Sequence, residues 1–231
     1  MGVGGQAIGG HQDNSLDFLS ALTEDERSAF RAAGRVRRYA KGEAIFHEGD
    51  DPGGVIAIVT GRAKVAASGV AGRDVVLRFA GTGELLGELS AIAGRPRTAT
   101  VTALDDLETV AMRTADFQRF VESHPRVAPL VFERLALLLA EADRQLVDFA
   151  TRDVTARIAG RLVELAETSG EPVEGGVRIT LPISQDELGA WAGASREAVA
   201  RSLHLLRELG WIETRRRQIT VRNADGLRGL I

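Results

Sequence analysis

One glycine-rich segment of the sequence has residue types and a spacing that could bind a sugar phosphate. Leu86-Gly87-Glu88-Leu89 predicts a tight turn into a short helix, whose backbone N–H groups and dipole would attract an anion. About ten residues later, Arg97 offers a guanidinium fork to two phosphate oxygens, followed by a hydroxyl and a further amide. Glu88 is compatible with a phosphate neighbour only if it accepts a hydrogen bond from a sugar hydroxyl. The candidate ligand-binding residues of this segment are Leu86, Gly87, Glu88, Leu89, Arg97, Thr98 and Ala99.

Each fragment of this segment has a plainer interpretation when it is taken alone. A Gly-Glu pair usually marks only a turn, and Arg97 could be an ordinary surface charge. The joint occurrence of these fragments among short predicted strands is much more specific.

A second segment predicts base recognition in DNA. Arg196, Glu197 and Arg201 fall in the first two turns of a predicted helix, the region of a recognition helix that reaches base edges. Arginine binds guanine bidentately, and glutamate accepts a hydrogen bond from cytosine N4. The alternative is an exposed Glu–Arg pair, worth roughly 0.2–0.5 kcal/mol. The candidate DNA-binding residues are Ser184, Ser195, Arg196, Glu197, Arg201 and Arg216, with the two serines as helix N-caps that could also contact phosphates.

The context of this helix favours DNA binding over the plain ion pair. A preceding predicted helix, a turn at Gly193 and the basic wing Arg215-Arg216-Arg217 all fit docking on a duplex. The net charge of the chain is −3, but residues 195–222 hold seven Arg against three Glu. Residues 1–150 hold 17 Lys and Arg against 21 Asp and Glu, whereas residues 151–231 hold 12 against 11. An acidic chain with one short basic segment is consistent with a local surface that binds the phosphates of a nucleic acid. Ordinary solvated charges on a helix would give the same pattern.

The composition excludes several classes of protein. Hydrophobic residues make up 44% and charged residues 26% of the chain, as in ordinary globular proteins. No apolar run approaches the ~18–20 residues of a membrane helix, and the first residues lack the features of a signal peptide. The absence of cysteine excludes disulfides, thiolate zinc sites and iron–sulfur clusters, and the four histidines have no ligand spacing. We therefore expect a cytoplasmic protein without a metal or a membrane contact.

The pattern of apolar residues divides the chain into four parts and predicts an α+β fold. Residues 1–14 predict a flexible tail. Residues 15–125 predict short helices followed by closely spaced strands of an antiparallel β-roll domain. Residues 126–150 predict one long dimerisation helix, and residues 151–231 predict a winged helix-turn-helix DNA-binding domain.

Strict 3,4 spacing along the long helix predicts a dimer seam. The seam residues are Ala128, Val131, Leu135, Leu138, Ala142, Gln145 and Phe149. Apolar residues off the seam are Leu130, Leu137, Leu139 and Leu146. We expect the off-seam face to pack on the β-roll and the seam to face a second copy of the protein. A helix buried within a monomer is the alternative.

The two motifs resemble those of the CRP/FNR family of bacterial transcription regulators over about residues 15–225. Gly87-Glu88-Leu89 with Arg97-Thr98-Ala99 resembles the family's phosphate-binding cassette, and Ser195 to Arg201 resembles its recognition helix. Asp153-Val-Thr-Ala-Arg-Ile-Ala resembles the start of the family's DNA-binding domain. The resemblance implies a cyclic-nucleotide-binding β-roll, a dimerisation helix and a winged helix-turn-helix. The cysteines of the FNR branch and the haem ligands of the haem-sensing branch are absent.

The resemblance leaves the base of the effector open. Ala142 and Asp143 align with the Thr-Ser pair that faces adenine in cyclic-AMP-binding members of the family. An Asp143 carboxylate could accept both donors on the Watson–Crick edge of guanine, and Thr98 resembles the hydroxyl that meets guanine in cyclic-GMP-selective domains. Cyclic AMP is the first expectation, with cyclic GMP or another effector as the alternative. The plain interpretation of Asp143 is an exposed acidic position.

Together these features predict a ligand-gated, homodimeric transcription regulator and not an enzyme. The partners that the family resemblance implies are a cyclic nucleotide, RNA polymerase and a palindromic TGTGA-type site in double-stranded DNA, because Arg196, Glu197 and Arg201 match the family residues that read such half-sites. A regulatory module of an enzyme is disfavoured, because the residues after the long helix hold no nucleophile–base–orienter set. A ligand-independent DNA-binding protein is disfavoured by the intact set of Glu88, Arg97 and Thr98.

Overall fold

The computed structural model describes residues 17–69, 72, 74–216 and 218–231. The predicted flexible tail over residues 1–14, and Arg217 of the predicted basic wing, lie outside these residues. In the described part of the chain, no helix is both long enough and apolar enough to cross a membrane.

The first half of the chain forms a roll of two four-stranded antiparallel sheets. One sheet has the strand order β1-β8-β3-β6 and the other has the order β2-β7-β4-β5. Buried side chains from both sheets, such as Ile58, Val101 and Leu107, form the core between them. The strands are β1 (Arg35–Tyr39), β2 (Ala44–Phe46), β3 (Val55–Thr60), β4 (Ala63–Ser68), β5 (Asp74–Ala80), β6 (Leu85–Leu86), β7 (Thr100–Ala103) and β8 (Leu107–Met112).

Short helices pack against this roll. Thr23 and Glu26 form a reciprocal capping box at the start of the second of them, the N-cap that the sequence predicts. The rings of Phe18, Phe30 and Phe120 stack edge to face, with centroids 5.7 and 5.3 Å apart, and hold three of the helices together. The sequence patterns did not predict the helix after β8. The helices are α1 (Phe18–Ala21), α2 (Glu24–Ala33), α3 (Glu88–Ala93) and α4 (Thr114–Ser123).

The long helix α5 spans Val127–Thr151, close to the predicted residues 126–150, but the roll covers much of the face that was predicted to meet a partner. Val131 is buried in the core of the roll, and Leu135 packs against the same cluster. Leu138, Ala142 and Gln145 line a pocket between the roll and the helix. The prediction that the whole 3,4 seam faces a partner is therefore wrong, whereas Ala142 and Phe149 of the seam are exposed and the off-seam Leu130 packs on the roll as predicted. The spacing identifies an apolar face of a helix but not what covers it, and here the roll covers most of it.

The exposed apolar stripe of α5 consists of residues seven positions apart. Phe132, Leu139 and Leu146 are 66%, 64% and 68% exposed. Two of these three were predicted to pack on the roll. A heptad repeat of large apolar side chains on an open helix face is typical of a helix–helix interface.

The last 80 residues form the predicted helix-turn-helix with a β-wing. The described sheet of this part has the order β11-β12-β10-β9. Its core contains Trp191, Leu188, Leu203 and Leu206. The predicted α+β fold class is confirmed. The elements are α6 (Val154–Ser169), β9 (Gly170–Val173), β10 (Gly176–Ile179), α7 (Gln185–Ala192), α8 (Arg196–Glu208), β11 (Ile212–Arg215), β12 (Gln218–Val221) and α9 (Ala224–Arg228).

Strand β5 joins the two halves because its faces point to different neighbours. Cross-strand register places Arg78 opposite Val65 and Phe79 opposite Lys64. Since side chains alternate along a strand, these two pairs lie on opposite faces of the sheet. The Phe79 ring meets the Trp191 ring of α7 edge to face, with centroids 4.9 Å apart. Helix α7 is therefore docked directly on the outer face of β5.

Candidate ligand pocket and nucleic-acid interface

A cavity of about 260 Å³ lies between the roll and α5. Its walls come from the β-sheets, from α5, and from the loop and helix that follow β6. This volume is slightly below the roughly 300–1,000 Å³ of typical small-molecule sites and suits one small ligand. The lining residues are Phe46, Val65, Leu77, Arg78, Leu86, Gly87, Glu88, Leu89, Ser90, Arg97, Thr98, Ala99, Val101, Leu138, Glu141, Ala142 and Gln145.

Arg97 is the buried cation of this cavity. Its Nη1 donates to the Gly87 carbonyl at 3.0 Å and its Nη2 to the Gly54 carbonyl at 2.7 Å. The guanidinium lies 4.3 Å from the centroid of the Phe46 ring, and the residue is only 7% exposed. Burial lowers the pKa of Arg97, an effect that the negative charges of Asp50 and Glu88 oppose. Two backbone carbonyls and an aromatic face thus hold the guanidinium without neutralising its charge.

The turn into α3 brings the backbone close to this guanidinium. Gly87 has φ 81°, in the left-handed region that favours glycine. A Cβ at this position would lie 2.4 Å from Nη1 of Arg97 and 2.9 Å from the Gly54 carbonyl oxygen. Glu88, the first residue of α3, is 3% exposed and lines the same cavity. The structure therefore brings the predicted cassette together, with only glycine able to occupy its tightest point.

A buried ion-pair network lies beside the pocket and includes one of the lining residues, Arg78. Glu84 Oε2 accepts from Arg78 Nη1 at 2.6 Å and from Arg134 Nη2 at 3.1 Å. Arg134 lies on α5 and also donates to the Leu85 carbonyl at 2.7 Å. Burial lowers the pKa of Arg134, whereas Glu84 and Glu88 oppose this shift. One carboxylate thus ties the pocket strand β5 to the long helix.

The structure brings all but one of the predicted ligand-binding residues to the cavity. All seven cassette residues and Ala142 line the cavity, whereas Asp143 does not. Asp143 is exposed on α5 and lines a separate cleft between α5 and α6, so within its own chain it does not face the ligand site. The reason is helical geometry, because consecutive helix residues point about 100° apart.

Sequence reasoning missed the pocket residues that come from distant elements. Phe46 lies under Arg97, Arg78 stands on β5, and Glu141 and Gln145 lie on α5. Each is a single polar or aromatic residue in a strand or helix, and no local motif marks it. For Glu141 alone the sequence offers a hint that it is a pocket residue, because it is a polar position outside the seam and directly precedes Ala142.

The predicted DNA-reading residues share one exposed surface. Arg196, Glu197 and Arg201 are all exposed in the first two turns of α8. Hydrogen bonds from its own backbone N–H and from Ser195 hold the pKa of Glu197 below its ordinary value, so this carboxylate is an acceptor. Arg196 Nε lies 3.7 Å from Asp186 Oδ1, a long and solvent-exposed pair. These side chains remain available to another molecule.

The two serines cap their helices as the sequence predicts. Ser184 Oγ accepts from the backbone N–H of Glu187 at 3.1 Å, and the Glu187 carboxylate accepts from the backbone N–H of Ser184 at 3.0 Å. Ser195 Oγ accepts from the backbone N–H of Ala198 at 3.3 Å. Gly193, with φ 59°, ends α7 and makes the turn between the helices.

The wing lies beside this surface. Arg216 is exposed at the turn between β11 and β12. Ser184, Arg196 and Arg215 line a shared cleft with residues of the wing. The tip of the wing and the start of α8 therefore form one basic face, as a winged helix-turn-helix needs for contacts to both phosphates and bases.

Polar contacts of α7 and of the segment before it reinforce the docking of the last part of the chain on the roll. Lys64 Nζ lies 3.5 Å from Glu187 Oε1, and Arg62 Nη1 donates to Thr180 Oγ1 at 3.4 Å. Burial opposes the ionisation of Glu187, but hydrogen bonds from Ser184 and the charge of Lys64 keep its pKa below the ordinary value. Among the described residues, no group of three or more His, Asp or Glu side chains is arranged to hold a metal ion.

Comparisons with known proteins agree with both parts of this architecture. Residues 36–124 match the cyclic nucleotide-binding domain family, and residues 156–230 match the Crp-like helix-turn-helix domain family. The chain is 31% identical over 188 residues to the cyclic AMP receptor protein of Thermus thermophilus, covering 81% of this chain and 84% of that protein. It is 27% identical over 189 residues to the CRP-like cAMP-activated global transcriptional regulator of Mycobacterium tuberculosis, covering 82% of this chain and 84% of the relative.

A solved structure shows the same fold. The c-di-GMP responsive global regulator CLP of Xanthomonas campestris superposes with a TM-score of 0.78 at 25% identity, covering 86% of this chain and 99% of that chain. Because the two domain families follow one another along the chain, and because relatives match it over most of their length, the protein belongs to the CRP/FNR family of DNA-binding transcription regulators.

Proposed function

We propose that a purine 3′,5′-cyclic mononucleotide in the pocket gates DNA binding by a homodimer of this protein. The buried guanidinium of Arg97, held open by the Gly87 and Gly54 carbonyls, carries the proposal. A phosphodiester anion supplies the charge that these neutral carbonyls lack. Relatives carry cyclic AMP in their names, so cyclic AMP is the first effector to test.

The contacts of Arg97 support an anionic ligand. Its guanidinium lines the cavity and donates to two neutral backbone carbonyls, so a phosphodiester in the cavity would meet a buried positive charge. A cyclic phosphodiester carries one negative charge. Glu88 then faces the sugar, where it can accept from the ribose hydroxyl.

The dimer is proposed to form through α5. The stripe of Phe132, Leu139 and Leu146 is open to solvent in the single chain, and its heptad spacing suits a parallel pair of helices. Since the other face of α5 lines the ligand pocket, a nucleotide and a partner would hold opposite faces of the same helix. A shift of α5 on ligand binding would therefore change the dimer directly.

The DNA site is proposed to be a two-fold palindrome with TGTGA-type half-sites. Half-site centres one helical turn apart, about 34–36 Å, follow from the pairing of two recognition helices. Arg196, Glu197 and Arg201 would read bases, while Ser184, Ser195 and Arg216 would contact phosphates. Because DNA is the target, we expect the protein to act in the cytoplasm beside RNA polymerase and without catalytic activity.

A DNA-binding titration tests this function. Fluorescence anisotropy of a labelled TGTGA-palindrome duplex would be measured at fixed salt, with the protein alone and with cyclic AMP or cyclic GMP. We expect at least one nucleotide to tighten binding tenfold or more on the palindrome and not on a shuffled duplex. Arg97→Ala should remove the response. Equal affinity with and without every nucleotide would contradict the proposed gating.

A further inference from the structure

The pocket holds two charged groups that a phosphate cage does not require. Arg78 on β5 and Glu141 on α5 both line the cavity, away from the cassette that surrounds Arg97. Because β5 and α5 form the walls that face the cassette, these groups stand where the base of a nucleotide would lie when its phosphate is at Arg97. Their hydrogen-bonding character therefore bears on which base fits.

Glu141 is held in place by its neighbour. Gln145 Nε2 donates to Glu141 Oε1 at 3.2 Å and to the Leu77 carbonyl at 3.3 Å, so it also links α5 to β5. In the described part of the chain, Oε2 of Glu141 accepts no hydrogen bond. The carboxylate is thus a fixed pair of acceptors with capacity left for a ligand.

Arg78 presents donors from the other wall. Its register opposite Val65, which also lines the cavity, places it on the inner face of the sheet. Nη1 donates to Glu84, whose charge is shared with Arg134. The other N–H groups of the Arg78 fork have no partner among the described residues, and they remain available to acceptors in the pocket.

We propose that Glu141 and Arg78 select guanine over adenine, an inference that rests on the proposed binding of a cyclic nucleotide. Guanine carries two adjacent donors, N1–H and the 2-amino group, which a carboxylate accepts together. It also carries the acceptors O6 and N7, which suit a guanidinium fork. Adenine presents the N1 lone pair to the carboxylate and its 6-amino donor to the guanidinium. Adenine is therefore mismatched at both walls, and cyclic GMP is the preferred effector.

This inference moves the guanine-reading role from Asp143 to Glu141. Both are carboxylates on α5, but only Glu141 lines the cavity. Glu133 provides a matched control on the same helix, because it has the same side chain, is exposed and does not line the cavity.

Isothermal titration of the full-length protein with cyclic GMP and with cyclic AMP tests the inference. The wild type should bind cyclic GMP at least tenfold more tightly. Glu141→Gln keeps the shape but replaces one acceptor with a donor, so it should weaken cyclic GMP at least tenfold and not weaken cyclic AMP. Arg78→Gln should also reduce the ratio of the affinity for cyclic GMP to the affinity for cyclic AMP. Glu133→Gln should leave both affinities within twofold, and thermal melting would confirm that every variant is folded.

The outcomes separate the inference from the function on which it rests. Cyclic AMP binding as tightly as cyclic GMP, or an unchanged preference in Glu141→Gln, would overturn guanine selection and leave nucleotide gating intact. Binding of neither nucleotide by the folded wild type would overturn both. Arg97→Lys is the reference variant, because loss of the phosphate fork should weaken the two nucleotides equally.

Discussion

Alanine at Gly87 should damage ligand binding far more than it damages the fold. Gly87 has φ 81°, so a side chain there costs about 1–2 kcal/mol from left-handed strain. Its Cβ would also lie 2.4 Å from Nη1 of Arg97 and 2.9 Å from the Gly54 carbonyl oxygen. Arg97 must therefore move, and the carbonyl at Gly54 prevents a small adjustment.

The size of the effect follows from the contact that is lost. A hydrogen bond to a charged group contributes about 1.5–3 kcal/mol. Loss of this interaction energy between the guanidinium and a phosphate lowers the affinity for the nucleotide roughly 10- to 140-fold, since about 1.4 kcal/mol corresponds to a factor of ten. The strain alone predicts a lower melting temperature but no such loss of affinity.

Gly94 at the other end of α3 is the matched control. It also has a left-handed backbone, with φ 62°, but a Cβ there meets nothing within 4 Å. Gly94→Ala should show only the destabilisation that comes from left-handed strain in a thermal melt, and it should bind nucleotide like the wild type by calorimetry. If Gly87→Ala and Gly94→Ala bound nucleotide equally well, the assignment of Arg97 as the phosphate partner would be refuted.

Four further predictions address other parts of the molecule. Arg201→Ala should cost about 1–3 kcal/mol per half-site and relax one G·C position in a binding-site selection, whereas Arg216→Ala should weaken all sequences alike and reduce the salt dependence. Leu139→Glu should yield monomers in sedimentation, because two carboxylates would meet in an apolar interface; unchanged dimers would place the interface elsewhere. Phe79→Ala removes an aromatic pair worth about 0.5–1.5 kcal/mol beyond its buried area, and hydrogen exchange should then rise across α7 but not in the roll. The pKa of Glu187 is lowered in the folded state, so its carboxylate stabilises the protein above pH ~4.5, and this contribution is lost as the pH falls through the lowered pKa. In Glu187→Gln, the free energy of unfolding measured with urea should therefore fall less steeply as the pH is lowered.

The cassette could be predicted from the sequence because its parts are local. A turn that only glycine fits, an acidic residue at the start of a helix and an arginine about ten residues later lie on one short segment. The same holds for the recognition helix, where Ser195 caps the helix that carries Arg196 and Arg201. Turn and cap preferences act over a few residues, so patterns of this length determine them.

The opposite walls of the pocket could not be predicted because tertiary packing places them. Arg78 is one arginine in an ordinary strand, and its role depends on Glu84 and on Arg134 of a helix about 50 residues further along the chain. The covering of part of the α5 seam by the roll has the same origin. Both faces of α5 are apolar, so the 3,4 pattern alone could not determine which face the roll would cover.

The packing around β5 explains how a small ligand could influence the helix-turn-helix without a long chain of intervening contacts. Leu77 and Arg78 line the pocket, while the next residue, Phe79, packs on Trp191 of α7. The Gln145 bond to the Leu77 carbonyl adds α5 to the same strand. A ligand that binds two arrangements of β5 and α5 with different affinity must shift the populations of those arrangements. Only strand β5 separates such a ligand from the helix-turn-helix. Under the proposed function, these direct side-chain contacts would carry part of the energetic coupling between nucleotide and DNA, beside the route through α5 and the dimer.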